Sequence, residues 1–262
     1  MNIKIISKDK EKFSFILSGV KPSFANAIRR SMIDEVPTMA IENIEIRKNN
    51  SALYDEVLAH RLGLVVLNTD LKSYNLPEKC KCNGEGCARC QVEIVLKVKG
   101  PRIVYTSDLK PKDPKITPAQ PESVIAKILK GQDIELIATA VLGKGRDHAK
   151  WAPCLAIYKN EPVINIGNVS NVEEVAAKCP LNLFEIKSGK LKLIKDYELA
   201  CHLCEACQDE SNGKIKVSYK EDTFIFTVEP WGQLDVKDIL KRAVDELDEK
   251  SEEFVKLVKA LK

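Results

Sequence analysis

Three cysteines in the last third of the chain have a spacing that suits a metal cluster. Cys201, Cys204 and Cys207 are separated from one another by two residues. Such gaps turn the backbone back on itself, so three thiolates can face one centre, as in the C-x2-C-x2-C part of a bacterial ferredoxin run. A cubane iron–sulfur cluster needs a fourth thiolate. The position where a complete run would place its next cysteine is Ser211, so the fourth ligand must come from elsewhere.

A separate Cys-Pro pair, Cys179-Pro180, can supply that ligand. In two-cluster ferredoxins the cysteine before proline in each run ligates the other cluster. Residues 167–177 contain no cysteine that would complete a run ending at Cys179. One ligand set therefore remains, and we predict that it holds a single iron–sulfur cluster, four-iron or three-iron: Cys179, Cys201, Cys204 and Cys207. A zinc site or unrelated thiols are the alternative, because C-x2-C spacing also occurs in zinc sites.

The elements around these cysteines must bring them together. Residues 184–193 alternate apolar and polar on either side of Ser188-Gly189, which predicts a β-hairpin. A hairpin would return the chain and place Cys179 near Cys201. Residues 171–177 begin with Asn171 and two acidic residues, which predicts a capped helix that ends just before Cys179.

A second cysteine group lies earlier in the chain. Four cysteines fall within eleven residues: Cys80, Cys82, Cys87 and Cys90. Gly84 and Gly86 between them permit positive φ, so the loop could wrap around one tetrahedral zinc ion. Only Cys87 and Cys90 have the usual two-residue gap. A second iron–sulfur cluster, or a disulfide in aerobically purified protein, is the alternative to the predicted zinc.

Composition bounds the class of protein. The chain has 262 residues, of which 44% are hydrophobic and 30% charged, so we expect a soluble globular protein of two or three domains. No apolar run is long enough to cross a bilayer, and the first four residues lack a signal-peptide core. We therefore expect a cytoplasmic protein whose nine cysteines serve as metal ligands more than as disulfides. The net charge of +3 is too small to indicate nucleic-acid binding by itself.

The first forty residues predict a hairpin followed by a helix. The hairpin is formed by residues 3–7 and 13–17, and the helix by residues 22–33, with Pro22 at its start and Pro37 as its stop. One face of this helix collects apolar and small side chains: Phe24, Ala27, Ile28, Ser31 and Met32. That face is either core packing or a partner interface with Arg29 and Arg30 at its edge.

The last fifty residues predict two strands and a long helix. Residues 215–219 and 223–228 have strand patterns and are expected to pair across a charged turn at 220–222. Asp235 is the predicted cap of a helix about 39 Å long at the usual rise per residue. Its apolar stripe comprises Val236, Leu240, Ala243, Leu247, Phe254, Val258 and Leu261. A stripe of this length is expected to meet a partner, although intramolecular core is the commoner use of such a face.

Other candidates for chemistry are weak. The only histidines, His60, His148 and His202, belong to no nucleophile motif. Residues 143–145 read Gly-Lys-Gly but lack the rest of a P-loop, and Cys154 has no neighbouring thiol. No Asp-x-Asp cluster suited to two-metal nucleotidyl transfer is present. We predict no catalytic residue in this chain.

Four stretches together resemble the α-like subunits of RNA polymerases: residues 24–32 (FANAIRRSM), 36–41 (VPTMAI), 58–64 (LAHRLGL) and 145–153 (GRDHAKWAP). This family includes the bacterial α N-terminal domain, the third subunit of eukaryotic polymerase II and the D subunit of archaeal polymerases. The resemblance runs along the whole chain, and the ferredoxin-like insert points to the archaeal branch. The polymerase II relative carries a zinc loop similar to the one that begins at Cys80.

The resemblance implies an α+β fold with three parts. A dimerisation domain would be built from both chain ends (1–39 and 214–262), interrupted by a β-rich domain with the four-cysteine loop (40–165) and a ferredoxin-like domain (166–213). Within the β-rich part, strand patterns occur at residues 41–46, 92–98, 103–105, 134–140 and 155–158, and residues 110–121, with four prolines, predict an extended loop.

The same resemblance implies a function in assembly. The chain would be a non-catalytic subunit of a DNA-directed RNA polymerase whose activity belongs to the complex. It would form a heterodimer with the small subunit L, on which the large catalytic subunits and other small subunits assemble, and it would meet DNA only through the complex. The expected interface residues are Phe24, Ala27, Ile28, Arg29, Arg30, Met32, Leu240, Leu247, Phe254 and Val258.

Two other functions use the same residues differently. An iron–sulfur electron carrier would need a second redox centre, and the sequence has no flavin or dinucleotide fingerprint. A zinc-dependent nucleic-acid binder would need basic and aromatic residues around the first cysteine group, where only Lys79, Lys81 and Arg89 are found. The assembly subunit is therefore the favoured interpretation.

Overall fold

The computed structural model describes residues 1–9, 11–194 and 198–261 of an α+β protein. The chain divides into two compact units. The first unit comprises Met1–Ala27 and Ile157–Val228, and the second comprises Ile28–Ala156 and Glu229–Lys262.

The described residues contain both strands and α-helices. The strands are β1 (Asn2–Lys8), β2 (Phe13–Ser18), β3 (Thr38–Asn49), β4 (Gln91–Lys99), β5 (Arg102–Tyr105), β6 (Lys110–Pro111), β7 (Val124–Ile128), β8 (Asp133–Gly143), β9 (Cys154–Ile166), β10 (Phe184–Lys187), β11 (Lys190–Leu193) and β12 (Ile215–Pro230). The α-helices are α1 (Pro22–Asp34), α2 (Asp55–Gly63), α3 (Val172–Lys178), α4 (Ala206–Glu210) and α5 (Val236–Ala260). The strand and helix predictions for both chain ends and the β-rich segment are confirmed, apart from the corrections below.

The first unit is built on a four-stranded sheet in the order β1-β2-β12-β9. The β1–β2 hairpin is antiparallel, and β2 also pairs antiparallel with β12. Aromatic rings fill one face: Phe15 stacks on Phe226 with ring centroids 5.0 Å apart, and Tyr158 meets Phe224 edge-on at 5.3 Å. Period-two alternation places these rings on one side, so this face is the core of the unit.

The predicted turn at residues 220–222 is wrong. β12 runs without interruption through this segment as one strand of 16 residues. The charged residues there do not bend the chain, because β9 lies alongside and gives them partners: Lys220 Nζ is 2.6 Å from Glu161 Oε1. A charged triplet on an exposed strand can be a solvated strand face as readily as a turn.

The rest of the first unit surrounds the second cysteine set. The β10–β11 hairpin forms as predicted, with Ser188 and Gly189 both at positive φ (53° and 71°). This pair of left-handed residues matches the twist of the strands. Helix α3 begins after Asn171, but the predicted side-chain cap is wrong: Asn171 Nδ2 donates to the Glu210 carbonyl at 2.9 Å and does not cap its own helix.

The second unit contains a sheet in the order β3-β8-β4-β6 and a two-stranded sheet of β5 and β7. Its core is formed by alternate residues of β4 and β8 and by Leu58 and Leu62 of α2. Helices α1 and α5 are linked by a buried hydrogen bond, in which Ser31 Oγ donates to the Ala243 carbonyl at 2.6 Å.

Helix α5 changes character along its length. It begins after Asp235 as predicted, although the Asp235 side chain makes no capping hydrogen bond. Ile239, Ala243 and Glu246 are buried, whereas every residue from 248 to 261 is exposed. With 25 residues, the helix is about 37 Å long at the usual rise. None of the described helices is both long and apolar enough to cross a membrane.

Candidate metal centres and partner surface

The first cysteine group forms a compact loop between the short 3-10 helix Pro77–Lys79 and strand β4. Asn83, Gly84 and Gly86 take positive φ (51°, 83° and 94°), as the glycine pattern predicts. These left-handed residues reverse the chain twice in a few residues. The loop therefore closes on itself, with Cys80 and Cys90 buried in its interior.

The four sulfurs of this loop are placed as a single metal ion requires. All four lie within 4.8 Å of one another, and three Sγ–Sγ distances are 3.5 Å: Cys80–Cys87, Cys80–Cys82 and Cys82–Cys90. Four thiolates at the usual zinc–sulfur distance of about 2.3 Å around a tetrahedron are separated by about 3.8 Å. The donor set fits one metal ion. It is the one such group among the described residues.

Backbone groups already favour thiolates in this loop. The Cys87 N–H donates to Cys90 Sγ at 3.2 Å, and the Arg89 N–H donates to Cys87 Sγ at 3.4 Å. Hydrogen bonds with the Cys80 and Cys90 thiols lower the pKa of Cys82 to about 6. Burial raises the pKa of Cys90 to about 12. These two thiols, whose sulfurs are 3.5 Å apart, thus have pKa values shifted in opposite directions.

The second cysteine set is brought together by the fold of the first unit. Its four members line one small pocket: Cys179, Cys201, Cys204 and Cys207. The other lining residues are mainly apolar and include Ile164, Leu183 and Phe184. Three of the four cysteines are buried and Cys204 is exposed. Thiols arranged around a space, more loosely than in the first loop, suit a cluster with one ligand per iron.

The C-x2-C-x2-C segment has an unusual backbone. Leu203 and Glu205, one in each two-residue gap, take left-handed conformations with φ of 61° and 62°. For residues other than glycine this costs roughly 1–2 kcal/mol each, so something must stabilise the turn. Lys159 contributes from β9: its Nζ donates to the Ala200 carbonyl at 3.0 Å and the Cys201 carbonyl at 2.8 Å. A group bound by the three thiols would contribute further.

Ser211, at the position of the missing run cysteine, is excluded as a ligand by its own hydrogen bonds. Its hydroxyl accepts from the Ile215 N–H at 2.9 Å and donates to the Gln208 carbonyl at 3.0 Å. It is buried and serves the turn between α4 and β12. This supports Cys179 as the fourth member of the set.

The residues expected at a partner interface are found in different environments. Phe24 and Arg30 of α1 are exposed, Ala27 and Arg29 are half-buried, and Ile28 and Met32 are buried in the chain itself. On α5, Leu240 and Leu247 are half-buried, whereas Phe254 and Val258 are exposed. Sequence reasoning missed Val255 and Leu257, which are also exposed. They could have been found as apolar residues directly beside the stripe.

A buried group of charges anchors the first half of α5 and was not anticipated. Lys144 Nζ lies 2.6 Å from Glu246 Oε2 and 3.3 Å from Glu35 Oε2, and all three side chains are almost fully buried. Arg242 and Lys250 complete the pairing of the two carboxylates. Burial alone would raise the pKa of Glu35. The hydrogen bonds and charges of Lys250 and Lys144 nevertheless hold this pKa below its usual value. Sequence offers no sign that Lys144 joins this group, because Glu246 and Glu35 are 102 and 109 residues away from it.

The Gly-Lys-Gly segment, the histidines at positions 60 and 148 and the isolated Cys154 have structural roles. A Cβ at Gly145 would lie 2.0 Å from the Ile33 carbonyl oxygen, so only glycine fits there. His148 Nδ1 accepts from the Lys150 N–H at 3.0 Å, and His148 and His60 line a common groove without a nucleophile. Cys154 is buried, and burial raises its pKa to about 12, as expected for an inert core thiol.

Comparison with known proteins identifies the class. Residues 14–251 match the RNA polymerase Rpb3/Rpb11 dimerisation domain. Curated relatives named DNA-directed RNA polymerase subunit Rpo3 align along their full length. The protein from Methanosarcina acetivorans is 39% identical over 100% of this chain and 99% of its own length. The Archaeoglobus fulgidus protein is 36% identical over 99% of this chain and 98% of its own length. The Pyrococcus furiosus protein is 33% identical over 97% of this chain and 96% of its own length.

The chain therefore belongs to the RNA polymerase Rpb3/Rpb11 dimerisation-domain family, in its archaeal Rpo3 branch, also called the D subunit. The resemblance found in the sequence motifs is confirmed. The comparisons do not support the alternative of an electron-transfer protein.

Proposed function

We propose that this chain is the non-catalytic assembly subunit of a DNA-directed RNA polymerase. It forms a heterodimer with the small subunit L, and the large catalytic subunits and other small subunits assemble on that pair for transcription. It reaches DNA only through the complex and works in the cytoplasm with the rest of the polymerase. The observation that carries the proposal is the uncovered second half of α5 in a chain that belongs to a dimerisation-domain family.

The energetics favour a partner on this helix. Phe254 is 67% exposed, and Leu257, Val258 and Leu261 are exposed beside it on successive turns. Burying a large apolar side chain contributes roughly 1.5–3 kcal/mol. Several such residues on one helix can drive association, whereas in isolation they cost solubility. The buried charges around Lys144 hold the first half of α5 in place, so the second half is presented as a preformed surface.

The metal centres serve the scaffold in this proposal. The loop from Cys80 to Cys90 holds one zinc ion, since its sulfurs are spaced for a single tetrahedral ion. The second cysteine set holds a 4Fe-4S cluster, or its 3Fe-4S form, within a ferredoxin-like domain at 166–213. A four-iron cluster would take one thiolate per iron, and the arrangement of four thiols around one pocket supports this choice. The other proposed domains are 1–39 with 214–262, and 40–165.

The dimerisation surface can be tested with Phe254→Asp. Because Phe254 is exposed, the charge should leave the free chain folded but remove an apolar contact from the exposed half of α5. We expect coexpressed small subunit L to separate from the variant in size-exclusion chromatography. Iron, sulfide and zinc contents should be unchanged. Phe24→Asp tests the exposed end of α1 in the same way.

Lys256→Asp is the control, since it places an aspartate on the same exposed half of the helix at a residue that is already charged. It should still elute with the small subunit. Coelution of Phe254→Asp at the wild-type ratio would refute α5 as the interface. Ile28 and Met32 are unsuitable for this test, because they are buried and their substitution would destabilise the chain itself.

A further inference from the structure

Lys159 of strand β9 contacts the segment that carries the first of the three closely spaced cysteines. Its Nζ donates to the Ala200 carbonyl at 3.0 Å and to the Cys201 carbonyl at 2.8 Å. The second acceptor belongs to a residue of the proposed ligand set, so a positive charge lies directly beside that set. The same strand contributes Ile164 to the lining of the cysteine pocket. Strand β9 therefore meets the cysteine set at two places.

The partners of Lys159 differ from those of two other lysines with little exposure. Lys144 lies 2.6 Å from a Glu246 carboxylate oxygen, and Lys150 pairs with Glu42. Lys159 is half-buried, and the partners described for it are neutral carbonyl oxygens. Moving an ammonium group out of water is costly, and a nearby anion reduces that cost. An anion held by the neighbouring cysteines would therefore stabilise Lys159, and Lys159 would stabilise the anion.

The pocket that the four cysteines line has few positive groups of its own. Its described lining contains one carboxylate, that of Glu205, and neither lysine nor arginine, and His202 is the one residue there that can become a cation. An iron–sulfur cluster bound by thiolates is an anion, and its reduction potential depends on the charges and hydrogen bonds around it. One-electron reduction adds a further negative charge. A lysine bonded to the ligand segment therefore favours the reduced form, because a cation attracts the more negative state more strongly.

We propose that Lys159 is the counter-charge of the proposed iron–sulfur cluster. It is a positioning residue: its hydrogen bonds hold the segment at Cys201 in place, and its charge raises the reduction potential of the bound cluster. The inference rests on the proposed cluster. Lys159 precedes the proposed ferredoxin-like segment at 166–213, so that segment depends on a strand of the neighbouring sheet for part of its metal centre.

Three substitutions separate the charge of Lys159 from its hydrogen bonds. Lys159→Arg keeps the charge and the donors, Lys159→Gln keeps a donor without the charge, and Lys159→Met keeps neither. The reduction potential of each full-length, anaerobically purified protein is measured by a titration followed by electron paramagnetic resonance. In Lys159→Gln and Lys159→Met the equilibrium constant for reduction should fall about tenfold, which is about 59 mV for a one-electron couple. Lys159→Arg should stay within about twofold of wild type.

Lys4→Met is the matched control. It removes the same charge from an exposed lysine of β1, at the opposite edge of the same four-stranded sheet. At a strand spacing of about 4.8 Å, that edge lies roughly 14 Å from β9, where solvent screens the charge. The reduction potential of this variant should equal that of wild type. A shift comparable to that of Lys159→Met would show a general effect of net charge and would overturn the inference.

The remaining outcomes separate this inference from the proposed cluster. A wild-type potential in either Lys159→Gln or Lys159→Met would overturn the inference, and so would a shift of equal size in Lys159→Arg. If the two neutral variants are purified without iron, retention of iron by Lys159→Arg supports the role of the charge, whereas loss of iron from all three variants overturns it. Absence of iron and sulfide from the wild-type protein would instead overturn the proposed cluster itself.

Discussion

The two cysteine sets are brought together in different ways, the first by one local loop and the second by the tertiary fold. All four cysteines of the first set lie in one loop of eleven residues, and local left-handed residues are enough to gather them. The second set joins Cys179 to three cysteines more than twenty residues later, and a hairpin must fold before they meet. The first set thus lies in a loop outside the apolar core of its unit. The buried cysteines of the second set are themselves members of a core.

The cores of the two regions reflect this difference. In the second unit a large apolar core of β4, β8 and α2 residues contains none of the loop cysteines. In the first unit, three of the eight buried residues that form the core around the second set are Cys179, Cys201 and Cys207. Loss of the proposed cluster would remove the group around which this small core is arranged, since metal-binding free energy there would be folding free energy.

The largest expected effect is that of Cys179→Ser. It should abolish the proposed cluster, taking iron and sulfide from about four each per chain to near zero in anaerobically purified protein. Proteolysis should then become rapid within residues 166–213, because the small core loses its centre. Zinc content should stay at about one. Cys154→Ser is the control and should retain iron, sulfide and zinc.

Retention of iron by Cys179→Ser would remove this residue from the ligand set. Two zinc ions and no sulfide in the wild-type protein would replace the proposed cluster by a second zinc site. Neither result would affect the assembly function, which rests on the helices.

The second-largest effect is expected in the second unit, whose apolar core contains none of the loop cysteines. Lys144→Met should destabilise it by about 3–5 kcal/mol, because Glu246 would be left buried at 2% exposure with one partner fewer. Urea unfolding followed by far-ultraviolet circular dichroism measures this. Lys97→Met breaks a surface pair with Glu135 and should cost at most about 1 kcal/mol. Equal losses in the two variants would contradict a special role for the buried charges.

A smaller effect is expected from Cys82→Ser. The proposed zinc should be lost, while iron content and the protease resistance of the rest of the second unit remain, because the apolar core stands without the loop. Each kcal/mol of lost stability should lower the melting temperature by only about 2–4 °C. If the whole second unit unfolded in this variant, the contrast between the two cysteine sets would be wrong.

The smallest effect tests the contact between the first cysteine loop and α5, the helix proposed to bind the small subunit. Lys79, next to Cys80, pairs with Glu249 of α5 at 3.0 Å, and both side chains are about half exposed. Lys79→Ala should reduce the affinity for the small subunit by no more than about fivefold, the value of a surface ion pair. Lys81→Ala, on the other side of Cys80, should have no effect. A loss comparable to that of Phe254→Asp would show that the loop itself belongs to the interface.

Much of the local structure could be predicted because it depends on local rules. The Ser188-Gly189 hairpin, the helix that begins at Pro22 and the left-handed glycines of the first loop all depend on neighbouring residues. The errors lie where a distant partner overrides a local preference. Residues 220–222 continue a strand because β9 lies beside them. The Asn171 side chain donates to the Glu210 carbonyl and so does not cap its own helix.

The sequence by itself determined the family, the α+β class and both groups of cysteines, because spacing along the chain decides which thiols can share a ligand and which residues share a helix face. Only the tertiary structure decided which apolar residues are core and which are left for a partner. Met32 and Phe254 look alike as members of apolar helix faces, yet one is buried and the other exposed. Burial depends on what the rest of the chain brings to a face. That is a property of packing between distant segments, and no local pattern contains it.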